Sequence, residues 1–528
     1  MRKPIACLAL MALALTLSLR ADESVDEAMI ARFKIEGFQH SRVMETLAEL
    51  TDTFGGRLRG SPSYAAAADW ARQRLNAFGI DKVAFEPGGF PGPGWTVKRF
   101  SVEMTDPQYL NVIAMPMAWS PGTTGKVAGS PVLVEVSSPA DFDRYRGKLR
   151  GAIVLNGKPR TDPATNFSPT AERFADAKLA EGEAATDPDK HVIDGSDGPD
   201  YAGAEKARRQ GIERRAVIAR FFRDEGVAAV LVSSPLSSGV ITVTDAGGFD
   251  LSGPQWKIPN PSFTVPSFVL AREHYGRIAR LVDRKRPVKV ELQLDVDITP
   301  AGRSVDIVAE IPGTDPRIGD EVVMLGGHFD SWHAGVGATD NGAGSAVMME
   351  AIRIVKAVGV KPRRTIRLAL WDAEEGGHLG SITYVQNHFG DPRTMALKPE
   401  HAKLSAYFNL DNGTGKVRGV YLQGNEGVRP IFEAWLRPFR SLGASTLAIQ
   451  KVGGTDHLDF SHVGLPAFQF IQDPIDYETR THHTNMDTIE AILESDLQQA
   501  AVIVASFVYH AAMRDERLPR VALPKPAG

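Results

Sequence analysis

Five residues of metal-binding type fall where a sheet would gather them. His328, Asp340, Glu375, Asp411 and His483 supply imidazole nitrogen and carboxylate oxygen, the donors zinc takes in sites that keep a position open for water or substrate. His328 ends an apolar run, Asp340 follows a glycine-rich turn at the start of a long apolar segment, and Glu374-Glu375 closes a second apolar run. If two divalent ions bind here, their four positive charges face three carboxylates, and a bridging hydroxide would neutralise the remaining charge. The expected geometry is two metals roughly 3.5 to 4 Å apart, bridged by one carboxylate and the water. Glu374 then has no metal to bind, because neighbours on an extended segment point in opposite directions. It is placed to take a proton from the water and pass it to a departing amine.

The elements that must position these groups alternate. Strands are expected over Val305–Ile311, Val322–Leu325, Thr365–Leu370, Leu404–Leu410 and Ala467–Ile471, with helices over Asn341–Val358, Leu379–His388, Val428–Leu442 and Leu493–Arg514. Near-continuous apolar strands in alternation with helices indicate an α/β fold, a mostly parallel sheet sandwiched by helices. Ligands of such sheets bind beyond the carboxyl ends of the strands, where His328, Glu374, Glu375 and Asp411 sit.

The remainder of the chain reads differently. Residues 25–90 pattern as helices around the break Gly55-Gly56-Arg57, with no catalytic role assigned to them, and Leu110–Met115 is a short strand. From Lys126 to Ile298 come short strands, a polar acidic stretch over Lys158–Pro199 expected to be a long loop, and a helix over Ala204–Glu225. This block is expected to be an inserted mixed α/β domain. The division is residues 1–21 as a leader, 22–125 and 299–528 as the two parts of a catalytic domain, and 126–298 as the insertion.

At 528 residues the chain exceeds one ordinary core. A formal charge of -4 gives no electrostatic case for nucleic acid or an anionic membrane surface. Arg2 and Lys3 precede the apolar run Ile5–Leu19, followed by Arg20-Ala21-Asp22-Glu23, the pattern of a secretory signal cleaved after Ala21. The run is short for a membrane span. The sole cysteine, Cys7, lies in that segment, so the mature chain would hold no thiol. Export without disulfides suits a secreted or periplasmic bacterial protein, with no membrane partner once the leader is removed.

Five stretches carry a resemblance: Gly326-Gly327-His328-Phe329-Asp330-Ser331, Ala338-Thr339-Asp340-Asn341-Gly342, Trp371-Asp372-Ala373-Glu374-Glu375, Asn409-Leu410-Asp411 and His483-Thr484-Asn485-Met486-Asp487. In order and combination they resemble the motifs of the co-catalytic zinc exopeptidase family, which contains bacterial leucyl aminopeptidase, glutamate carboxypeptidase II and carboxypeptidase Q. The resemblance covers residues 40–125 and 300–512, and His328–Gly380 is most similar to the carboxypeptidase Q branch. Residues 126–298 look like a protease-associated domain, from Arg146–Val154 and Gly226–Val232.

The resemblance implies two zinc ions, with Asp340 bridging them, Glu375 and His483 completing one site, and His328 and Asp411 the other. It also implies Glu374 as general base, Asp330 orienting His328, and a cis peptide between Asp340 and Asn341. His482 stands where some relatives carry an oxyanion-stabilising tyrosine and is expected to donate to the tetrahedral intermediate. The loop Gly453-Gly454-Thr455-Asp456-His457 resembles a substrate-site loop, with local capping as the equal alternative, and His333 is expected to be an exposed loop histidine.

The function expected is hydrolysis of the terminal bond of short peptides or dipeptides, with a homodimer possible. An aminopeptidase needs acidic groups for an ammonium, and a carboxypeptidase needs cationic or donor groups for a carboxylate. Which of them reach the rim is not legible. The rival readings are a glutaminyl cyclase-like enzyme with a single zinc and a non-catalytic binding ectodomain on the same fold.

Overall fold

The central sheet is built from strands apolar enough to be buried on both faces. Every residue of Val322–His328, Leu404–Asn409 and Ala467–Gln472 is buried, as is all but Arg367 of Thr365–Trp371. The computed structural model describes residues 23–89, 92–162, 169–193, 201–253 and 256–526. The leader assigned to residues 1–21, Cys7 included, lies outside the described residues, as do parts of the Lys158–Pro199 stretch.

The sheet has eight strands in the order Lys82–Pro87, Val305–Ile311, Thr365–Trp371, Val322–His328, Leu404–Asn409, Ala467–Gln472, Val417–Tyr421, Thr446–Ala448. The four central strands, Thr365–Trp371 through Ala467–Gln472, run parallel. Antiparallel pairings occur toward both edges. On one face, helices Ala343–Ala357 and Glu494–Met513 pack together beneath Glu27–Gln39 in the main core. On the other, Leu379–His388 and His457–Ser461 cover a smaller core around Trp371, Tyr407 and Phe460. Helices on both faces of a mostly parallel centre give the expected architecture.

Three strands depart from the expected pattern. Lys82–Pro87 falls inside the stretch read as helical, and Val417–Tyr421 and Thr446–Ala448 are too short to stand out. Asp176–Ala184 is a helix within the presumed loop.

A separate five-stranded sheet takes four of its strands from residues 126–298, in the order Ala114–Pro116, Ser267–Leu270, Ala229–Ser233, Ile153–Asn156, Val132–Val134. A second sheet is dominated by two long antiparallel strands, Gly94–Asp106 and Lys289–Thr299. Strand pairing thus runs across residue 126: Gly94–Asp106 and Ala114–Pro116, expected with the catalytic part, pair with strands of the insertion. The polar outer face of Gly94–Asp106, with Lys98, Arg99 and Glu103, gives a weak strand signature, and its partner lies far along the chain.

Candidate metal centre and active site

Parallel pairing lines up the carboxyl ends of the strands. His328 pairs in register with Trp371, and Gly326 with Asn409, so the loops after these strands open at one edge of the sheet. His328 projects from its strand end, Glu374 and Glu375 follow Trp371, and Asp411 follows Asn409. Asp340 lies in an irregular turn, 338–342, just before the buried helix Ala343–Ala357, and the Asp340–Asn341 peptide is cis. Ala373, His378 and His483 have positive φ of 57°, 58° and 58°, sparsely populated backbone of a kind that clusters at functional sites.

The loop between His328 and Asp340 is held by Arg57, which the sequence reading passed over. Its side chain is fully buried and donates to the carbonyls of Phe329 (2.8 Å), Val336 (2.9 Å) and Gly337 (2.8 Å), while its backbone N–H donates to Ser331 Oγ at 3.0 Å. Burial lowers its pKa to about 10, opposed by Asp487, Asp330 and Asp340. Arg57→Met strands several buried carbonyls, each costing about 1–3 kcal/mol. The expected result is a loss of roughly 3 kcal/mol or more in urea unfolding. A variant as stable as the parent would show that the loop does not depend on Arg57.

Asp340 is central to the cluster. Its Oδ1 lies 3.2 Å from His328 Nε2, which is also 3.2 Å from Asp411 Oδ1. Its Oδ2 lies 3.2 Å from His483 Nε2, which is 2.9 Å from Glu375 Oε2. The two oxygens of one buried carboxylate therefore face two separate histidine–carboxylate pairs. His328 Nδ1 donates to the backbone carbonyl of Asp330 at 3.0 Å, which turns Nε2 toward Asp340 and Asp411. The Asp330 carboxylate is farther from the ring, at 3.5 Å, and instead accepts the Glu374 N–H at 3.1 Å. Asp330 thus braces His328 through its carbonyl and Glu374 through its side chain.

The donor set fits cations. Buried Glu375 Oε1 has no hydrogen-bond partner, and Asp340 Oδ2 makes no well-angled hydrogen bond although His483 Nε2 is near. Burial, with the charge of Asp340, drives the Glu375 carboxyl far above its usual range. Burial acts the same way on Asp340, but the close imidazoles of His328 and His483 more than offset it and hold that carboxyl well below. Burial would discharge His328 and His483, yet the surrounding carboxylates raise both well above the usual imidazole value. Such a concentration of buried anionic donors demands positive charge, which divalent ions at the same positions would supply.

Glu374, beside the cluster on the wall of the same cleft, meets a histidine that the sequence reading also missed. Its Oε1 lies 3.2 Å from His378 Nε2, and His378 Nδ1 lies 3.4 Å from Asp459 Oδ2. Burial would lower the His378 pKa, but Asp459 and then Glu374 raise it to about 10. The stabilising contribution is complete below the unfolded pKa of about 6.5 and is lost as pH rises toward 10. His378→Gln should therefore flatten the fall in stability between those limits, in thermal melts across pH, and should lower kcat about tenfold with KM little changed as Glu374 loses its brace. An unaltered pH–stability curve and unaltered kcat would exclude this role.

Other expected residues are placed as follows. His482 is half-exposed on the cleft, stacked on Tyr477 at 4.6 Å, with Nε2 4.0 Å from Asp340 Oδ2. It is near enough to face a reacting carbonyl, and with Asp340 and His483 it forms a second possible donor group. The shorter contact of Glu375 favours that carboxylate as the partner of His483. His333 is not an exposed loop histidine: it is half-buried, hydrogen-bonded to the Pro116 carbonyl at 2.8 Å and edge-on to Trp95, because residues 114–120 fold over it. Asp456 and His457 turn into the core, where Asp456 accepts from Ser381 Oγ at 2.6 Å, while Gly453 and Gly454 reach the cleft. These side chains serve local bonding.

The cluster opens into a cleft of about 610 Å³ between the sheet edge and helix Tyr201–Asp224 of the insertion. Residues 306–508 match the model of peptidase family M28. That match spans the part of the chain that holds all five residues of the cluster. It is similar to human carboxypeptidase Q, 28% identical over 491 residues, covering 93% of this chain and 89% of that one. Aminopeptidase YwaD of Bacillus subtilis (strain 168) is 32% identical over 203 residues, 37% of this chain and 42% of that one. Among solved structures, a peptidase M28 precursor from Shewanella amazonensis SB2B superposes with a TM-score of 0.66 at 22% identity, covering 94% and 99% of the two chains. A zinc aminopeptidase from Bacillus subtilis gives 0.55 at 20%, covering 90% and 95%. These last two establish the shared fold, and the match over residues 306–508 together with the curated relatives supports a zinc metallopeptidase.

Proposed function

We propose that this M28 peptidase is an exported di-zinc exopeptidase that removes one terminal residue from short peptides. The observation that carries the reading is Asp340, whose two oxygens each face a histidine paired with a second carboxylate. His328 and Asp411 would hold one ion, His483 and Glu375 the other, with Asp340 shared. When bound, zinc supplies Lewis acidity toward the scissile carbonyl and the attacking water.

The chain's own residues do the remainder. Glu374, braced by His378 and by the N–H to Asp330, accepts the proton of the attacking water and delivers it to the departing amine as the C–N bond breaks. His482, on the cleft face, donates a hydrogen bond to the carbonyl oxygen as negative charge develops there. Helix Tyr201–Asp224 lines one wall of the cleft. The names of the relatives, a carboxypeptidase and aminopeptidases, support terminal cleavage. Export rests on the apolar run Ile5–Leu19 behind Arg2 and Lys3; among the described residues no helix is long and apolar enough to cross a membrane.

The test is hydrolysis by the zinc-loaded protein of a peptide set free at both ends, amino-blocked or carboxyl-blocked, with metal content measured in parallel. Cleavage of a terminal bond with two ions per chain supports the proposal. One ion with cyclisation of an amino-terminal glutamine would favour the cyclase alternative, and no turnover the binding ectodomain.

A further inference from the structure

The two histidines of the cluster rest on different parts of the chain. His328 ends a buried strand of the central sheet, and its ring is held by the carbonyl of Asp330, two residues on. His483 has no strand beneath it. It lies in the irregular stretch between the turns Tyr477–Thr481 and Ile489–Ala491, a third of its side chain is exposed, and its φ is 58°. A residue other than glycine keeps that conformation only where its surroundings hold it.

What holds it comes from residues 126–298. The Val243 N–H donates to the His483 carbonyl at 2.9 Å, and Thr242 forms a backbone bridge with Thr484. Asn485 closes the contact through three atoms: its backbone N–H donates to the Ile241 carbonyl at 3.1 Å, its Oδ1 accepts the Ile241 N–H at 2.7 Å, and its Nδ2 donates to the Gly239 carbonyl at 3.3 Å. The His483 ring is reached by the same segment through Trp332, which lies edge-on to it at 5.9 Å and packs in the apolar cluster of Ile241 and Val243. A second grip lies upstream. Glu172 and Ile475 exchange backbone hydrogen bonds at 2.8 and 3.0 Å, and Arg173 joins buried Asp473 and Asp496 at 2.9 and 2.7 Å. Residues 473–485 are thus fastened at both ends to a distant part of the chain.

Resting on the two-ion reading above, we infer that Asn485 is a positioning residue through which the segment 239–243 fixes His483. That segment thereby sets how tightly zinc is held on the Glu375–His483 side, while the His328–Asp411 side depends on the central sheet alone. Residues 126–298 are then part of the metal centre as well as a wall of the cleft.

The experiment isolates each side by removing a ligand of the other: Asp411→Ala leaves the His483 side, and Glu375→Ala leaves the His328 side. Zinc affinity is measured in both by competition with a chromophoric chelator, with and without Asn485→Leu, whose side chain is of similar size and makes no hydrogen bond. Loss of a group that orients a metal ligand costs about 10–100-fold in affinity. Asn485→Leu should cost that factor in the Asp411→Ala protein and nothing in the Glu375→Ala protein. Asn485→Asp, which keeps an acceptor for the Ile241 N–H, should recover most of it. Equal losses on both sides, or none on either, overturn the assignment. Linkage requires that zinc in turn tighten the contact, so zinc should slow hydrogen exchange of the Val243 and Asn485 amides in Asp411→Ala but not in Glu375→Ala. This second measurement needs no change at Asn485 and carries the test if Asn485→Leu fails to fold; exchange that zinc leaves unaltered overturns the assignment too. A wild type that holds a single ion overturns the two-ion reading and the role of Asn485 with it.

Discussion

Glu374→Gln should lower kcat on the best peptide by about 10²–10⁴-fold while zinc content and KM stay near the parent values. The amide keeps the size of the side chain and can still face His378 Nε2, the contact made at 3.2 Å by Glu374 Oε1. It cannot accept a proton from water or return one to an amine. Since Glu374 is held by His378 and belongs to neither histidine–carboxylate pair around Asp340, the ions should be indifferent to the change. Steady-state kinetics with metal analysis on the same preparation checks both parts. A Gln variant that turns over at the parental rate would remove Glu374 from the mechanism.

Asp340→Ala should have the larger effect on the metals. In the proposed two-ion site each neighbouring histidine–carboxylate pair would take one Asp340 oxygen as its third donor. Removing the shared carboxylate leaves two donors on each side, too few for a stable zinc site. The expected outcome is loss of both ions after dialysis and a fall in activity of more than about 10³-fold. Asp411→Ala and Glu375→Ala each alter one side, so each should release one ion first. An Asp340→Ala protein that keeps both ions would show that the bridge lies elsewhere.

How much of this was legible differs by residue. His328, Glu374, Glu375 and Asp411 stand at strand ends in a sequence whose alternation implies a parallel sheet, such a sheet collects those ends at one edge, and Asp340 sits in a glycine-rich turn before a helix. Type and position together made them visible. Arg57 gave no such signal because its partners are backbone carbonyls, which no residue type announces. His378 stands four residues after Glu374, the spacing of side chains that meet across a turn, and that signal was available. Asn485 stands next but one to His483, yet its side chain meets backbone groups of Gly239 and Ile241, which gave no signal for the same reason as the partners of Arg57. The edge strand Lys82–Pro87 and the pairing of Gly94–Asp106 with Lys289–Thr299 depend on partners more than a hundred residues away, beyond the reach of periodicity.

The beginning and end of the described chain are tied together. The Asp26 N–H donates to His510 Nε2 at 3.1 Å, Tyr509 donates to Asp26 Oδ2 at 2.8 Å, and Arg514 pairs with Glu23 at 2.7 and 3.0 Å. The helix Glu494–Met513 that makes these contacts also backs the sheet carrying His328 and Asp411. During vectorial synthesis every donor of the metal cluster therefore leaves the ribosome before the helix that locks their scaffold. The first helix likewise waits for the last to anchor it. A chain built this way stays unfinished until its final segment emerges, so the cluster around Asp340 is assembled only when synthesis is nearly complete.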